Sequence, residues 1–507
     1  MHAIVVLDFG GQYSHLIARR LRELCIYSTV LPGNTRKEEL AKLALKGLIL
    51  SGGPASAYAK NAPKCDPRIL KLGIPILGIC YGHQLLAQLA GGKLLKGEKA
   101  EYGITELIVS KKSELLAGLQ EKEIVWMNHR DAVAKLPACF DIVASTKNCS
   151  IAAFENSKAK LYGVQFHPEV SHTTHGREVL ANFAFKICKA KPSYKEEDTI
   201  KRIVEEARQT IGDKKAIIGL SSGIDSSTAA MLVHKAIGKN LIAVYIDTGL
   251  MRYRETELVK RIFSKAGLNL RIVDARPRFF EALKGVRNPE RKRKIIGKLF
   301  IEIFEEIAEQ EKADFLIQGT IYSDRIESGI TKHSSRIKSH HNVGGLPENM
   351  RLKLYEPLRD LYKDEVRRIA KKLGLPDELI KRHVFPGPGL AIRIAGAVTP
   401  KKVEIVRKAS HIIEEELKKA KLYDKVWMGF AILLPVKSVG IQGDARTYKH
   451  AIVVRVVCSE DAMTANFAKL PFDVLERIST RITNEIASVN RVLYDITNKP
   501  PATMEWE

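Results

Sequence analysis

The stretch Ala216–Ser227, AIIGLSSGIDSS, decides how the middle of this sequence folds. Its first five residues form an apolar run of strand length, and Thr228–Ile237 has the apolar spacing of a helix, with Gly238 placed to end it. Between them lies a turn of small residues: Ser221, Ser222, Gly223, Ile224, Asp225, Ser226 and Ser227. Backbone N–H groups of such a turn surround an anion, so we expect a phosphate-binding loop. An ordinary Gly/Ser turn is the alternative, because short motifs also match by chance.

The serines of this loop indicate which phosphate chemistry it serves. They add hydroxyl donors to the backbone N–H groups. The Walker A pattern of P-loop kinases requires a lysine before its final Ser/Thr, and Ser226 stands there. The loop therefore favours binding of a pyrophosphate over transfer of a γ-phosphate.

Length and composition bound the class of protein. A chain of 507 residues is too long for one core and predicts about three domains. Its 45% hydrophobic and 28% charged residues are typical of a soluble globular protein, and no apolar run approaches the ~20 residues of a membrane span. The start of the sequence has no signal-peptide pattern, and seven scattered cysteines form no CxxC pair. We therefore expect a cytoplasmic protein without a membrane segment or disulfide framework.

The formal charge of +24 has two interpretations. A basic protein can bind nucleic acid, but that function needs a clustered patch. Here the basic residues are spread along the chain and interleaved with acids, and the densest run, Arg291–Lys294, opens an amphipathic helix. We favour a lysine-rich surface that attracts anionic substrates, with no nucleic-acid partner.

The first third alternates strands and helices. Apolar runs at Ala3–Leu7, Lys46–Leu50 and Ile74–Ile79 are separated by helical spacing, which predicts a parallel α/β sheet. Function in such sheets lies at the carboxyl ends of the strands. The residues that follow these strands are Asp8, the pair Gly52 and Gly53, and Cys80.

Gly78–Gly82, GICYG, is the thiol counterpart of the G-x-S-x-G nucleophile elbow. A thiolate at Cys80 needs a base and a carboxylate that orients it, and His167 and Glu169 in GVQFHPE offer both. Gly53 lies in a loop whose backbone N–H groups suit an oxyanion hole. Taken alone, Cys80 is as readily a buried structural cysteine, and His167 is as readily a surface or hydrogen-bonded histidine without a catalytic role.

The motifs SGGP, GICYGHQ and GVQFHPE, in this order, resemble those of class I glutamine amidotransferases. The resemblance covers residues 1–189. It implies that Cys80 attacks the side-chain amide of glutamine, that His167 transfers protons and that Glu169 orients His167. It also implies oxyanion donors at the backbone of Gly53 and Tyr81.

The remaining segments suggest two further domains. Lys189–Asp198 is polar and is typical of a linker. Asp247 follows the strand predicted at Leu241–Ile246 and suits Mg²⁺ or a ribose hydroxyl, although a turn role is an equal alternative. Arg336–Pro347 is polar and Gly-rich, which indicates a loop that closes over a nucleotide or a disordered connector. From His383 onward, two Pro-Gly pairs and then mixed helices and strands predict a small α+β domain.

The whole chain resembles the glutamine-hydrolysing GMP synthetase family. The matching motifs are GICYGHQ, GVQFHPEV, GLSSGIDSS, KRKIIG, QGTIYSD, IKSHHNVGGLP, FPGPGLAIR, SVGIQGDARTY and KPPATMEWE. The resemblance implies an amidotransferase domain at 1–189, an ATP pyrophosphatase domain of doubly wound α/β type at 190–382, and a dimerisation domain at 383–507 that binds XMP. It implies a homodimer, and the reaction XMP + ATP + glutamine giving GMP, AMP, diphosphate and glutamate.

The same resemblance assigns substrate contacts. It implies Mg²⁺ with ATP, held in part by Asp225, and no organic prosthetic group. The implied XMP contacts are Asp444, Arg446, Lys499, Glu505, Arg393 and Lys338. This sequence departs from the family pattern at Ser222, where glycine is usual, and at Thr248 and Ser323. The departures leave the nucleotide affinity open and the reaction class unchanged.

Two rival families share the ATP loop. NAD synthetases and tRNA-thiolating enzymes lack FPGPGLAIR and KPPATMEWE, and the latter need cysteines beside the loop that this sequence does not have.

Overall fold

The computed structural model describes residues 3–59, 61–322, 324, 352–459 and 464–507. These residues divide by their contacts into two compact units, 3–198 and 199–507, and each is described by itself. Within the described ranges, no helix has both the length and the apolar character needed to span a membrane.

The strands of the described residues follow, in chain order: β1 Ala3–Asp8, β2 Ser28–Pro32, β3 Leu45–Leu50, β4 Ile76–Ile79, β5 Lys93–Val109, β6 Lys122–Lys135, β7 Asp141–Ser145, β8 Ala153–Asn156, β9 Leu161–Val164, β10 Ala216–Gly219, β11 Leu241–Asp247, β12 Asn269–Asp274, β13 Phe315–Ile317, β14 Lys353–Tyr355, β15 Met428–Gln442, β16 Ala445–Cys458, β17 Asn466–Phe467 and β18 Val489–Tyr494.

The α-helices of the same residues are α1 Ser14–Glu23, α2 Lys37–Ala41, α3 Tyr81–Leu89, α4 Gly176–Ala181, α5 Glu196–Ile211, α6 Ile224–Ile237, α7 Glu255–Lys265, α8 Arg276–Ala282, α9 Pro289–Glu311, α10 Lys363–Lys372, α11 Asp377–Ile380, α12 Pro400–Lys419 and α13 Phe472–Glu485. Short 3₁₀ turns lie at Pro67–Leu72, Gly238–Asn240, Gly389–Arg393 and Tyr423–Lys425, and a π-helical turn at Asn182–Ile187.

The first unit is built on one mixed sheet. Its described strands run in the order β2-β1-β3-β4-β9-β8-β7-β5-β6. The strands from β2 to β9 are parallel, as the α/β alternation predicts, and the pairs from β9 to β6 are antiparallel. Residues Ile4 to Leu7 of β1 are fully buried, since helices and loops cover both faces. In β4, Gly78 lies opposite Leu50 of β3 and Gly163 of β9, so the residues that follow these three strands meet at one edge.

The second unit holds two sheets. The first is parallel, in the order β12-β11-β10-β13-β14 among the described residues. Its central strand pairs Ile217 with Ile242 of β11 and with Leu316 of β13, so the loop after β10 lies between the ends of its two neighbours. The second sheet pairs β16 with β15 and β17 antiparallel and with β18 parallel. This is the α/β architecture followed by an α+β segment that the sequence predicts.

The predicted linker differs from the observed chain. Helix α5 already begins at Glu196. Tyr194 is buried, and the backbone N–H groups of Ser193 and Tyr194 both donate to the Cys25 carbonyl oxygen. Residues 190–195 therefore pack as part of the first unit, because an aromatic side chain in the polar segment supplies apolar area for burial.

Candidate active site

Cys80 occupies a sharp strand-to-helix turn between β4 and α3. Its φ is 54°, in the left-handed region that non-glycine residues seldom adopt. The turn requires glycine on both sides: a Cβ on Gly78 would lie 2.4 Å from the Gly82 oxygen, and one on Gly82 would lie 2.1 Å from the Leu50 oxygen. This is the elbow geometry that the GICYG pattern predicts.

His167 and Glu169 lie just beyond β9. The Nδ1–H of His167 donates to Glu169 Oε1 over 2.7 Å, and both side chains are buried. Burial disfavours the imidazolium, but the Glu169 carboxylate and then the Cys80 sulfur outweigh it, and they raise the pKa of His167 well above its ordinary value. The His167 Nε2 has no hydrogen-bond partner among the described residues. This atom is therefore available to exchange a proton.

Gly52 lies where the nucleophile and the histidine meet. A Cβ built on Gly52 would lie 3.2 Å from His167 Cε1 and 3.7 Å from Cys80 Cβ, and one on Gly53 would lie 3.3 Å from Tyr81 Cγ. The structure thus brings together every residue that the sequence nominates for the thiol site.

Two residues that sequence reasoning missed hold this pair in place. The Thr173 hydroxyl donates to the His167 carbonyl over 2.6 Å, and the Arg20 Nε–H donates to the Glu169 carbonyl over 3.0 Å. Both bond through backbone atoms of the site, and Arg20 is distant from it in sequence. No motif signals such contacts.

The predicted phosphate loop connects β10 to α6. Gly223 caps the helix, and α6 begins at Ile224, four residues earlier than its apolar spacing indicates. Gly319, after β13, approaches the loop so closely that a Cβ there would lie 2.9 Å from Ser226 N. The loop N–H groups therefore stand at a helix N-terminus, as a phosphate site requires.

The serine hydroxyls differ from the expectation. The Ser227 hydroxyl is buried and donates to the Gly223 carbonyl over 2.7 Å. Ser222 has a φ of 55°, and its hydroxyl bonds to Glu255, which Arg382 binds in a bidentate ion pair. Ser221 and Ser226 bond to one another over 3.0 Å. Buried hydroxyls must find protein partners, so the Ser222 and Ser227 hydroxyls are not available to a phosphate. The Ser227 N–H is also occupied, because it donates to the Gly223 carbonyl over 3.1 Å.

Asp225 pairs with a lysine that the sequence reasoning did not single out. Lys363 Nζ, at the start of α10, lies 2.5 Å from Asp225 Oδ2. Asp225 Oδ1 is buried without a hydrogen-bond partner among the described residues. A cation therefore already stands beside the loop, and one carboxylate oxygen is left for a ligand.

Asp247 takes the turn role that was its alternative. Its Oδ1 accepts the Gly249 N–H over 2.9 Å, and its Oδ2 accepts the Thr256 hydroxyl over 3.0 Å. These bonds hold the turn after β11, and the ribose contact remains a prediction.

The last residues of the sequence are firmly held. Glu505 forms an ion pair with Arg393. The side chain of Glu507 bonds to Lys292, a lysine with a fully buried side chain whose Nζ also donates to the Ile394 carbonyl over 2.7 Å. Burial lowers the pKa of Lys292, although Glu507 counteracts it. The segment 499–507 is thus placed rather than frayed, as its sequence predicts.

The other predicted XMP contacts lie elsewhere. Asp444 and Arg446 are exposed at the turn between β15 and β16. Leu433 of β15 pairs with Ile394, the residue next to Arg393. The turn lies ten residues further along β15, so it is on the order of 30 Å from Arg393. Lys338, the loop Arg336–Pro347 and Ser323 lie outside the described residues.

Comparison with known proteins gives matches along most of the chain. Family models match in three places: "Glutamine amidotransferase class-I" at residues 5–187, "NAD synthase" at 196–295 and "GMP synthase C terminal domain" at 415–506. The NAD synthase match includes the predicted phosphate loop Ser221–Ser227.

Curated relatives match over the full length. A glutamine-hydrolysing GMP synthase of Aquifex aeolicus is 53% identical over 505 residues, which is 99% of each chain. One from Caldanaerobacter subterraneus is 53% identical over 508 residues, also 99% of each chain. One from Lactobacillus gasseri is 52% identical over 507 residues, covering 99% of this chain and 98% of the relative. With the thiol elbow and the phosphate loop in place, the chain belongs to the glutamine-hydrolysing GMP synthase family.

Proposed function

We propose that the chain makes GMP from XMP, with ATP to activate the purine and glutamine to supply nitrogen, and that Cys80, His167 and Glu169 carry out the glutamine hydrolysis. The single observation that carries the assignment of these residues is the buried cluster of Cys80, the His167–Glu169 pair and Gly52. The relatives' name supplies the reaction.

The hydrolysis follows from these atoms. His167 Nε2 takes the thiol proton of Cys80, the sulfur attacks the side-chain carbonyl carbon of glutamine, and the carbonyl electron pair moves to oxygen. N–H groups of Gly53 and Tyr81 stabilise that oxyanion. His167 then passes a proton from Nε2 to the nitrogen as the C–N bond breaks, and ammonia leaves. Water, deprotonated by His167, releases glutamate from the thioester.

The second unit activates XMP. We assign ATP to the loop Ser221–Ser227, with Asp247 at its edge and Lys363 on the phosphates. Adenylylation of the purine 2-oxygen releases diphosphate, and ammonia then displaces AMP. Arg393, Lys499 and Glu505 would hold XMP, with Lys338 as a further contact. Asp444 and Arg446 are too far from Arg393 to touch the same XMP within one chain, so we assign them to an XMP bound by the second copy of a homodimer.

Mg²⁺ fits the loop. The unpartnered Oδ1 of Asp225 is a hard oxygen ligand, and Mg²⁺ takes one or two carboxylates together with substrate phosphates. When bound, the ion neutralises charge on the ATP phosphates. Asp225 and Lys363 would orient those phosphates from the protein side.

A homodimer formed through residues 383–507 would account for an exposed apolar surface on the β15–β16 hairpin. The outer half of the β15–β16 hairpin exposes apolar side chains at 46–77% of their area: Val436, Val439, Ile441 and Tyr448. An exposed apolar surface of this kind favours association. A second copy would also cover the hairpin turn that carries Asp444 and Arg446. The proposal keeps a division between the second and third domains at 382, and it extends the first domain beyond 189 to include residues 190–195, which pack on it. It also includes a cytoplasmic location, since the described cysteines are all free thiols.

One experiment tests the assignment. Cys80→Ala in the full chain should lose GMP formation with glutamine and retain it with ammonium, while Cys139→Ala, a change at an exposed cysteine, should retain both. The nucleotide products should be AMP and diphosphate. Loss of both activities in folded Cys80→Ala, or appearance of ADP and phosphate, would contradict the proposal.

A further inference from the structure

The turn Asp8–Gly11 packs against the loop Gly52–Gly53, yet has no part in the hydrolysis proposed above. A Cβ on Gly11 would lie 2.4 Å from the Gly52 oxygen, and one on Gly53 would lie 2.8 Å from the Phe9 oxygen. The two loops therefore touch backbone to backbone, at a distance that only glycine permits.

A chain of hydroxyl groups links the two loops. Ser51 Oγ accepts the Phe9 N–H over 3.2 Å and lies 3.0 Å from both the Gly52 oxygen and Ser14 Oγ. The Ser14 hydroxyl donates to Asp8 Oδ1 over 2.6 Å. Ser14 and Ser51 are buried, and each has one hydroxyl proton. The Ser14 hydroxyl donates toward Asp8 Oδ1 and Ser51 Oγ, so the Ser51 proton is left for the Gly52 oxygen.

The bond to the Gly52 oxygen controls a neighbouring donor. The peptide between Gly52 and Gly53 is planar, so its C=O and its N–H point in opposite directions. Glycine on both sides leaves that plane free to rotate unless a contact holds it. The Gly53 N–H makes no hydrogen bond within the described residues, so it is free to serve a ligand.

We infer that Ser51, supported by Ser14 and Asp8, is a positioning residue that holds the Gly52–Gly53 peptide with its N–H ready for the oxyanion. This inference rests on the proposed hydrolysis at Cys80. The inference gives the turn Asp8–Gly11 a role, because this turn would hold the oxyanion hole in place before glutamine binds. A preorganised donor contributes more to the transition state than to substrate binding, so the role should appear in kcat rather than in KM.

Three variants of the full chain test this inference: Ser51→Ala, Ser14→Ala and Asp8→Asn. Loss of one oxyanion donor costs about 100- to 1,000-fold in kcat, so a donor that is only misoriented should cost about 10- to 100-fold. We expect this fall for glutamine-dependent GMP formation in Ser51→Ala, with smaller falls in the other two. The KM for glutamine should stay within about twofold, and the rate with ammonium should be retained.

Ser28→Ala is the matched control. It removes a fully buried hydroxyl of the same unit, which donates to the Ile4 carbonyl over 2.8 Å, away from the two loops. It should retain kcat even where stability falls. Ser14→Thr keeps a hydroxyl and should recover kcat relative to Ser14→Ala.

Alkylation of Cys80 by iodoacetamide separates positioning from general damage. This reaction forms no oxyanion, so its rate, followed by mass spectrometry of the Cys80 peptide, should equal wild type in Ser51→Ala. Wild-type kcat in Ser51→Ala, or alkylation that slows in step with kcat, overturns the inference. If Ser51→Ala does not fold, Ser14→Ala and Asp8→Asn decide it by the same readouts. Retained glutamine use in Cys80→Ala would instead defeat the proposed function.

Discussion

Arg393 and Glu505 form a bidentate ion pair in which Nε lies 3.0 Å from Oε2 and Nη2 lies 2.7 Å from Oε1. Their side chains are 5% and 16% exposed, and the Arg393 guanidinium stacks 4.0 Å from the centroid of the Phe430 ring. Two of the predicted XMP contacts therefore meet as an ion pair whose opposite charges compensate each other.

Glu505→Gln should lower both stability and XMP affinity. The variant keeps the planar shape but leaves the buried guanidinium without its countercharge, which costs about 3 to 5 kcal/mol when a buried pair is broken. Urea denaturation measures the first effect and calorimetric titration with XMP the second. Glu476→Gln, at an exposed position on α13, is the control. Unchanged stability would show that the pair is not coupled to the fold.

Lys499→Arg should weaken XMP binding although it conserves charge. The compact ammonium and the planar guanidinium fork bind oxygens differently. Deletion of 499–507 is a blunter test, because it leaves the buried Lys292 without Glu507. Calorimetric titration with XMP measures the affinity of the point variant. Its glutaminase rate, measured on the same sample, shows whether the first unit is intact. Unchanged affinity in the folded variant would remove Lys499 from the site.

Ser222→Gly should leave the KM for ATP within about twofold of wild type. A twofold change corresponds to about 0.5 kcal/mol, which is the usual effect of a substitution that touches no special feature. The side chain at this position bonds to Glu255, so its removal opens no space on the phosphate side. Ser222→Val should instead be destabilising, because a β-branched residue is strained at a φ of 55°. A large fall in KM for ATP in Ser222→Gly would show that the serine crowds the nucleotide.

Stability should fall as pH drops below about 6.5. Burial lowers the pKa of His83 to about 3 and that of His15 to about 4. Both histidines stay neutral in the folded chain, whereas in the unfolded chain they take up protons near pH 6.5. Each therefore lowers the free energy of unfolding by about 1.4 kcal/mol per pH unit below that value, until the pH reaches its pKa in the folded chain.

Denaturation of His83→Gln across pH 7.5 to 4.5 measures this effect. The free energy of unfolding of His83→Gln should fall less steeply with decreasing pH than that of wild type. The difference in slope should correspond to the uptake of about one proton. His172→Gln, at an exposed histidine of the same unit, should show the wild-type slope. Equal slopes in all three proteins would place the acid sensitivity elsewhere.

The elbow motif and the residues that follow predicted strands were enough to nominate the thiol site. Gly52, Cys80 and His167 follow β3, β4 and β9, and these strands are parallel neighbours whose carboxyl ends meet at one edge. The pairing of β4 with β9 could not be predicted from chain order, because β5 to β8 lie between them in sequence. The direction of the Ser222 hydroxyl could not be predicted, because its partner Glu255 lies 33 residues further along the chain. The antiparallel half of the first sheet was missed for a similar reason: pairing partners such as β5 and β7 are set by distant contacts. The Lys363–Asp225 and Arg20–Glu169 contacts join residues 138 and 149 positions apart, which no local pattern encodes.

The glycines around Cys80 predict what a genetic selection would find. Positions 78 and 82 accept only glycine, because a Cβ there would collide with the backbone. Position 80 is restricted for another reason, since the proposed reaction needs a thiol. In guanine auxotrophs carrying a library of this gene, survival on glutamine alone should forbid change at all three positions. Excess ammonium should rescue many alleles at codon 80 and few at its neighbours, since a crowded backbone disturbs the sheet beneath.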